Sequence, residues 1–251
     1  MVKVLLCGCN GRMGRAVHNI VSTEKEMEIV AGVDSYQEIA NPYPVFSSVK
    51  EVNVPCDVII DFSSSQATDD LLDFCVQTGV PVVLCSTGLS EAQIKKVEET
   101  SEHAAVLRSG NMSLGVNLIV KMLGEMSNVL TEAGFDVEIV EKHHKMKMDA
   151  PSGTALMLAD AVNNASNGKY SYVYDRTERR EVRPENEIGI SAVRGGSIVG
   201  DHDVIFAGQD EVVTISHRAY SRTLFAKGAV SAAYFLADKK SGYYTMQDVI
   251  G

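Results

Sequence analysis

Val2-Lys3-Val4-Leu5-Leu6-Cys7-Gly8-Cys9-Asn10-Gly11-Arg12-Met13-Gly14 carries the strongest structural signal in the chain. Val2 to Cys7 is a continuous β-like run. Three glycines at three-residue spacing follow. From Arg12 to Ser22, Met13, Ala16, Val17 and Ile20 recur at helical spacing. A strand, a glycine turn and a helix in that order open a βαβ unit. Glycines permit a tight turn and let backbone N–H groups approach a pyrophosphate at the helix N-terminus. The pattern is Gly-x-x-Gly-x-x-Gly, not the usual Gly-x-Gly-x-x-Gly, so a plain β–α turn stays open as an alternative. The second strand, Glu28 to Val33, runs into Asp34, 20 residues beyond Gly14. A carboxylate there can accept hydrogen bonds from the adenosine ribose. Ser35 and Tyr36 follow, with no arginine to meet a 2′-phosphate, and Asp34 would repel one. NADH is therefore the expected cofactor, with NADPH usable through partial compensation by Arg12.

The alternation continues. Asp57-Val-Ile-Ile-Asp61 and Val80 to Leu84 read as strands. Thr68 to Thr78 and Ser90 to Glu102 read as helices, with Ser90 an N-cap ahead of Glu91 and Gln93. Such alternation builds a parallel sheet with helices on its faces. Two further loops, Cys85-Ser86-Thr87-Gly88 and Ser109-Gly110-Asn111-Met112-Ser113, fall at strand ends, where open α/β sheets bind ligands. The texture changes after about residue 112. A long helix, Leu114 to Leu130, precedes strands at Asp136 to Lys142, Ile188 to Arg194, Asp203 to Ala207 and Glu211 to His217. Arg222 to Leu236 is helical again, and Asn163 to Asn186 reads as a long loop. The expected fold is α/β: a Rossmann-type parallel sheet domain with a second α+β domain built on a mixed, largely antiparallel sheet.

The 251 residues carry 23 Lys and Arg against 33 Asp and Glu, a formal net charge of −10. That balance argues against nucleic acid, whose binding needs cationic neutralisation of phosphates. A small anionic ligand feels only the local field and stays allowed. No stretch approaches the ~18 apolar residues of a membrane helix, and the N-terminal apolar run is too short for a signal peptide. The five cysteines, Cys7, Cys9, Cys56, Cys75 and Cys85, are odd in number and sit in the first third of the chain. They read as small hydrophobes in a reducing cytoplasm, not as a disulfide framework.

Glu141-Lys-His-His-Lys-Met-Lys-Met-Asp-Ala-Pro-Ser-Gly-Thr-Ala155 is the most unusual stretch. His143 and His144 end a strand, Lys142, Lys145 and Lys147 crowd beside them, and Pro151-Ser152-Gly153-Thr154 starts a helix whose free N–H groups suit a carboxylate. The segment reads as a cationic pocket with proton-carrying groups, since histidine titrates near neutral pH. Adjacent histidines in a strand face opposite ways, which disfavours a shared metal; none is expected. A solvated lysine-rich loop is the alternative.

At this point the sequence resembles the 4-hydroxy-tetrahydrodipicolinate reductase (dihydrodipicolinate reductase) family of diaminopimelate and lysine biosynthesis. The resemblance rests on Gly8 to Gly14, Asp57 to Ser63, Ser86-Thr87-Gly88, Asn111 to Asn117, His143-His144 with Lys147, Asp149 to Ala155, Val193 to His202 and Ser221 to Ala229. It implies that Gly8, Cys9, Asn10, Gly11, Arg12 and Met13 hold the pyrophosphate and Asp34 the ribose. Cys85, Ser86 and Thr87, with Ser109, Gly110, Asn111 and Met112, would meet the nicotinamide. His143 matches the catalytic proton donor or acceptor and Lys147 the second catalytic proton donor; His144, Gly153 and Thr154 match contacts to a dicarboxylate substrate. Also implied are a dinucleotide-binding domain from residues 1–113 and 222–251, a substrate-binding and oligomerisation domain from 114–221, and a homotetramer. Closure on substrate would hinge near Ser113-Leu114-Gly115 and Arg222. Cys85 stands where the family often has glycine, and Met112 where an aromatic is common.

Two rivals remain. Another Rossmann dehydrogenase of amino-acid biosynthesis, if it acts on an aldehyde, needs a nucleophilic cysteine, and none follows Cys85. A non-enzymatic dinucleotide-sensing protein would keep Gly8 to Gly14 but have no use for His143, Lys147, Gly153 and Thr154 together.

Overall fold

The structure, a computed structural model, describes Met1 to Gly251. The chain divides into two compact units, Met1–Leu114 with Thr223–Gly251, and Gly115–Arg222.

Unit 1 is built on a sheet of seven strands: β1 (Val2–Cys7), β2 (Met27–Val33), β3 (Val45–Phe46), β4 (Val58–Asp61), β5 (Val82–Leu84), β6 (Ala105–Arg108) and β12 (Gly242–Tyr244). Their order is β12-β6-β5-β4-β1-β2-β3, with every pairing parallel. Strands buried on both faces need no polar side, which is why Val4 to Cys7, all buried, reads as an unbroken apolar run after the exposed Lys3. Alternate residues of β1 serve different cores. Val4 and Leu6 pack with α1 (Arg12–Val21) and α6 (Thr223–Leu236). Leu5 and Cys7 pack with α2 (Thr68–Thr78) and α3 (Glu91–Ser101). Each fully buried leucine or isoleucine here contributes roughly 1.5–3 kcal/mol. Chain order reverses between β1 and β4, the switch point at which such sheets open a crevice beyond their carboxyl ends. The Ser90 cap is present, with its side chain accepting from Gln93 N–H and the Gln93 side chain returning to Ser90 N–H. In this unit β3, β12 and α7 (Met246–Ile250), of two, three and five residues, escaped the pattern because they are too short to show a period.

Unit 2 carries five strands, β7 (Asp136–His143), β8 (Ser171–Val173), β9 (Glu187–Arg194), β10 (Gly200–Ala207) and β11 (Val212–Ala219), in the order β11-β10-β7-β9-β8. One face is covered by α4 (Leu114–Glu132) and α5 (Gly153–Ala165), which bury Val137, Ile139, Ile188, Val204 and Phe206. The sheet is mixed, as expected, but evenly so. β10 runs antiparallel to β7 and β11, whereas β9 runs parallel to β7 and β8. The expected long loop is also shorter: α5 runs to Ala165 and β8 then pairs with β9. Arg176 and Arg183 tie the remaining segment to Glu138 at 2.8–3.0 Å, so its charges brace the sheet.

Candidate active site

In unit 1 the β1–α1 turn is shaped by what glycine leaves out. Gly8 has φ +73°, and a Cβ on it would lie 2.6 Å from the Phe62 carbonyl oxygen. A Cβ on Gly14 would overlap the Gly8 carbonyl. The N–H groups of Gly8 and Cys9 go to the Val33 carbonyl at 2.8 and 3.5 Å, and that of Gly11 to the Gly8 carbonyl at 3.1 Å. Gly11 caps α1 with no side chain over the helix start. The donors left open there include the first-turn N–H groups of Arg12 and Met13. Asp34 is joined to the same turn: its Oδ2 accepts Asn10 N–H and its Oδ1 Tyr36 N–H, both at 2.9 Å. Each carboxylate oxygen keeps a further lone pair for a hydroxyl. Cys9 is 1% exposed, and burial pushes its thiol up to about 11, so it shapes the turn without presenting its sulfur.

The two strand-end loops meet. A cleft of about 390 Å³ is lined by Met13, Cys85, Ser86, Thr87 and Ser109 to Met112, and also by Phe62, Ser63 and Phe225. Asp61, fully buried at the end of β4, organises one wall: its Oδ1 accepts Ser63 N–H and Oγ–H at 3.0 and 2.5 Å. Burial raises its pKa despite those bonds. Burial and the nearby Asp61 also hold the Cys85 thiol well above its usual range. A protonated thiol is a poor nucleophile, which counts against aldehyde chemistry at this cysteine. The Asn111 side chain accepts Ser113 N–H at 2.8 Å and shapes the second loop.

In unit 2 the polar groups gather at one end of the helix-covered sheet face. His143, at the end of β7, is buried, while Lys142 turns to the other face and pairs with Asp203 at 3.0 Å. Lys142 therefore leaves the cationic cluster that the sequence places around the histidines. Lys145 is exposed, and its N–H donates to the Gly196 carbonyl. Lys147 forms an ion pair with Asp149 at 2.8 Å. His144 Nε2 lies 3.3 Å from Arg222 Nη2. Ser152 caps α5 by accepting Ala155 N–H at 3.1 Å, which places Gly153 and Thr154 at the helix start.

The centre of this cluster is a residue to which the sequence reading assigned no role. Glu141 has no exposed surface and accepts four hydrogen bonds: His143 Nδ1 at 2.6 Å, Ser152 N–H at 3.0 Å and both terminal nitrogens of Arg194 at 2.7 Å. Burial alone would raise its pKa; these bonds outweigh burial and lower it. Burial lowers the pKa of His143, with Glu141 opposing in part. His202 stacks edge-on to His143, with centroids 5.2 Å apart, and bonds Ser152 Oγ through Nε2 at 3.0 Å. Burial takes its pKa down to about 4. Period-two spacing put Glu141 on the His143 side of β7, and that was the available signal. Arg194 and His202 sit on other strands, so only the sheet register reveals them. No group of three or more His, Cys, Asp or Glu is arranged to hold a metal ion, and no helix is long and apolar enough to cross a membrane.

Comparison with known proteins bears on both halves. The family model described as dihydrodipicolinate reductase, N-terminus, matches residues 2–112, and the one described as dihydrodipicolinate reductase, C-terminus, matches residues 115–250. The chain belongs to the dihydrodipicolinate reductase family. It is 51% identical over 250 residues to the 4-hydroxy-tetrahydrodipicolinate reductase of Caldanaerobacter subterraneus subsp. tengcongensis, covering 100% of this chain and 98% of that one. It is 46% identical over 246 residues to the enzyme of the same name from Clostridium tetani, covering 98% and 96%. The fold is shared with a dipicolinate-bound dihydrodipicolinate reductase from Paenisporosarcina sp., at TM-score 0.79, 24% identity and 99% coverage of both chains. As a member of the dihydrodipicolinate reductase family, the chain is an oxidoreductase.

Proposed function

We propose that this chain reduces 4-hydroxy-tetrahydrodipicolinate to tetrahydrodipicolinate, with loss of water, in diaminopimelate and lysine biosynthesis. Family membership supplies the reaction. The observation that carries it to particular residues is the buried Glu141–His143 pair beside the start of α5. Residues 1–113 and 222–251 are read as the dinucleotide-binding domain and 114–221 as the substrate-binding and oligomerisation domain. The first fits its cofactor: the space a Cβ would fill at Gly8 and Gly14 is closed, and the start of α1 is uncapped.

When bound, the dinucleotide supplies the hydride. Arg12 and Met13 N–H groups receive the pyrophosphate, with Gly8, Cys9, Asn10 and Gly11 shaping the turn, and Asp34 receives the ribose. Cys85, Ser86, Thr87 and Ser109 to Met112 surround the nicotinamide end. NADH is preferred because Asp34 would repel a 2′-phosphate. Gly153 and Thr154 bind one substrate carboxylate through the start of α5, and His144 helps bind the other. His143 and Lys147 deliver the proton that neutralises charge developing on the ring, a contribution typically of about 10²–10⁴-fold. For Lys147 this requires its pair with Asp149 to open.

A homotetramer is assigned to the face of the second sheet that no helix covers, where Val193 and Val212 are exposed. Free thiols at all five cysteines suit a reducing cytoplasm. Oxidation of NADH in the presence of dihydrodipicolinate synthase, pyruvate and aspartate semialdehyde tests the reading. It predicts oxidation that depends on all three; oxidation independent of the synthase overturns it.

A further inference from the structure

His143 has two ring nitrogens, and the surroundings of Glu141 decide which one exchanges a proton. Arg194 is always charged and grips Glu141 as a two-pronged fork, an arrangement that requires the carboxylate anion. Oε1 receives Ser152 N–H and Arg194 Nη2; Oε2 receives His143 Nδ1 and Arg194 Nη1. A fully ionised carboxylate only accepts, so Nδ1 of His143 carries hydrogen in both protonation states. Nε2 is then the nitrogen that gains and loses the proton. It lies beside Gly200 on β10, where a Cβ would sit 3.0 Å away and crowd that nitrogen.

The same carboxylate reaches further than the histidine. Through Ser152 N–H it fixes the start of α5. Through Arg194, whose Nη2 also donates to the Asp149 carbonyl at 2.7 Å, it fixes the loop on which Lys147 pairs with Asp149. We propose that Glu141 is a positioning residue: it locks His143 as the Nδ1–H tautomer and holds that imidazole, the start of α5 and the Lys147 loop in one arrangement. The proposal deepens the reading of His143 as a proton donor and rests on it. The charged and titratable groups facing His143 are Glu141 on its own strand, Lys147 on the following loop, Arg194 on β9 and His202 on β10. Of these only Glu141 favours the imidazolium.

Protein labelled with ¹⁵N-histidine, titrated by NMR with His143 assigned from His143→Gln, reads the tautomer without any assay of turnover. In the wild type, neutral His143 is expected with Nδ1 protonated and Nε2 bare. In Glu141→Gln the tautomer bias is lost, and the His143 midpoint and the alkaline limb of kcat/KM move down by about 1–3 pH units. kcat falls by on the order of 10²-fold, while dinucleotide affinity, a property of unit 1, stays put. Arg194→Lys keeps the charge without the fork and retains the tautomer. If Glu141→Gln fails to fold, the wild-type spectrum still decides. An Nε2–H tautomer in the wild type, or an unmoved midpoint in Glu141→Gln, overturns the proposal. The stated tautomer in a chain that does not reduce the substrate would instead overturn the functional reading and leave the lock standing.

Discussion

Acidification from pH 7 to pH 5 should weaken unit 2 through His202. Its ring is 4% exposed and bonds Ser152 at the start of α5. Burial, followed by the positive neighbourhood of His143, His217 and Lys147, outweighs Glu141 and takes its pKa from 6.5 down to about 4. The folded chain therefore favours neutral imidazole. Above pH 6.5 the unfolded chain is neutral there too, and nothing is lost. As pH falls from 6.5 towards 4 the unfolded chain takes up a proton that the folded chain refuses, so stability drops. At roughly 1.36 kcal/mol per pH unit the whole effect is about 3 kcal/mol, of which about 2 kcal/mol falls between pH 7 and pH 5. Urea unfolding of wild type and His202→Asn at both pH values measures it. Asparagine never titrates, so its loss of stability over this interval should be about 2 kcal/mol smaller. That corresponds to about 0.7–1 M in urea midpoint for a slope of 2–3 kcal/mol/M. His143 and His217 also have lowered pKa values and remain in both proteins, so the comparison reads the loss that depends on His202, its coupling to those two rings included. Equal losses in the two proteins would refute the assignment to His202.

Further expectations follow from the two half-sites. A Cβ on Gly228 of α6 would overlap the Met112 carbonyl; Gly228→Ala should cost about 1–3 kcal/mol of stability and weaken NADH binding, measured by thermal melts and fluorescence titration. His143→Ala and Lys147→Ala should each lower kcat by about 10²–10⁴-fold with dinucleotide Kd unchanged; wild-type turnover in either would remove that residue from the mechanism. The ratio of kcat/KM for NADH to that for NADPH should exceed one, and Asp34→Ala should lower it; a strong NADPH preference in the wild type sinks the role given to Asp34.

The fold was legible wherever a segment was long enough to carry a period. β1, α1, α2 and α3 emerge from their apolar spacing, and the Ser90 cap from its partner Gln93. β3, β8 and β12 did not, because two or three residues pair only through neighbours distant in sequence. The balance of the second sheet was hidden for a related reason: Ile188 to Arg194 has the same pattern in either direction, and only pairing with β7 and β8 makes it parallel. Within the site, Gly8 to Gly14 and Asp34 announce themselves by spacing. The crowding of Lys142, Lys145 and Lys147 misled, since strand alternation sends Lys142 to the far face and Asp203. Glu141 was read only as the start of a segment, and its weight comes from Arg194, 53 residues away. Ser152 was legible only as part of a helix start, and its bonds to Glu141 and His202 depend on three elements meeting.

Transfer of label follows the hydride itself. NADH carrying deuterium at both C4 positions, incubated with this protein and synthase-generated substrate, should yield tetrahydrodipicolinate one mass unit heavier than product from unlabelled NADH. The labelled product should be lost in the His143→Ala, Lys147→Ala double variant, which still binds NADH. Product formed without deuterium, or labelled equally well by the double variant, would contradict hydride reduction supported by these two residues.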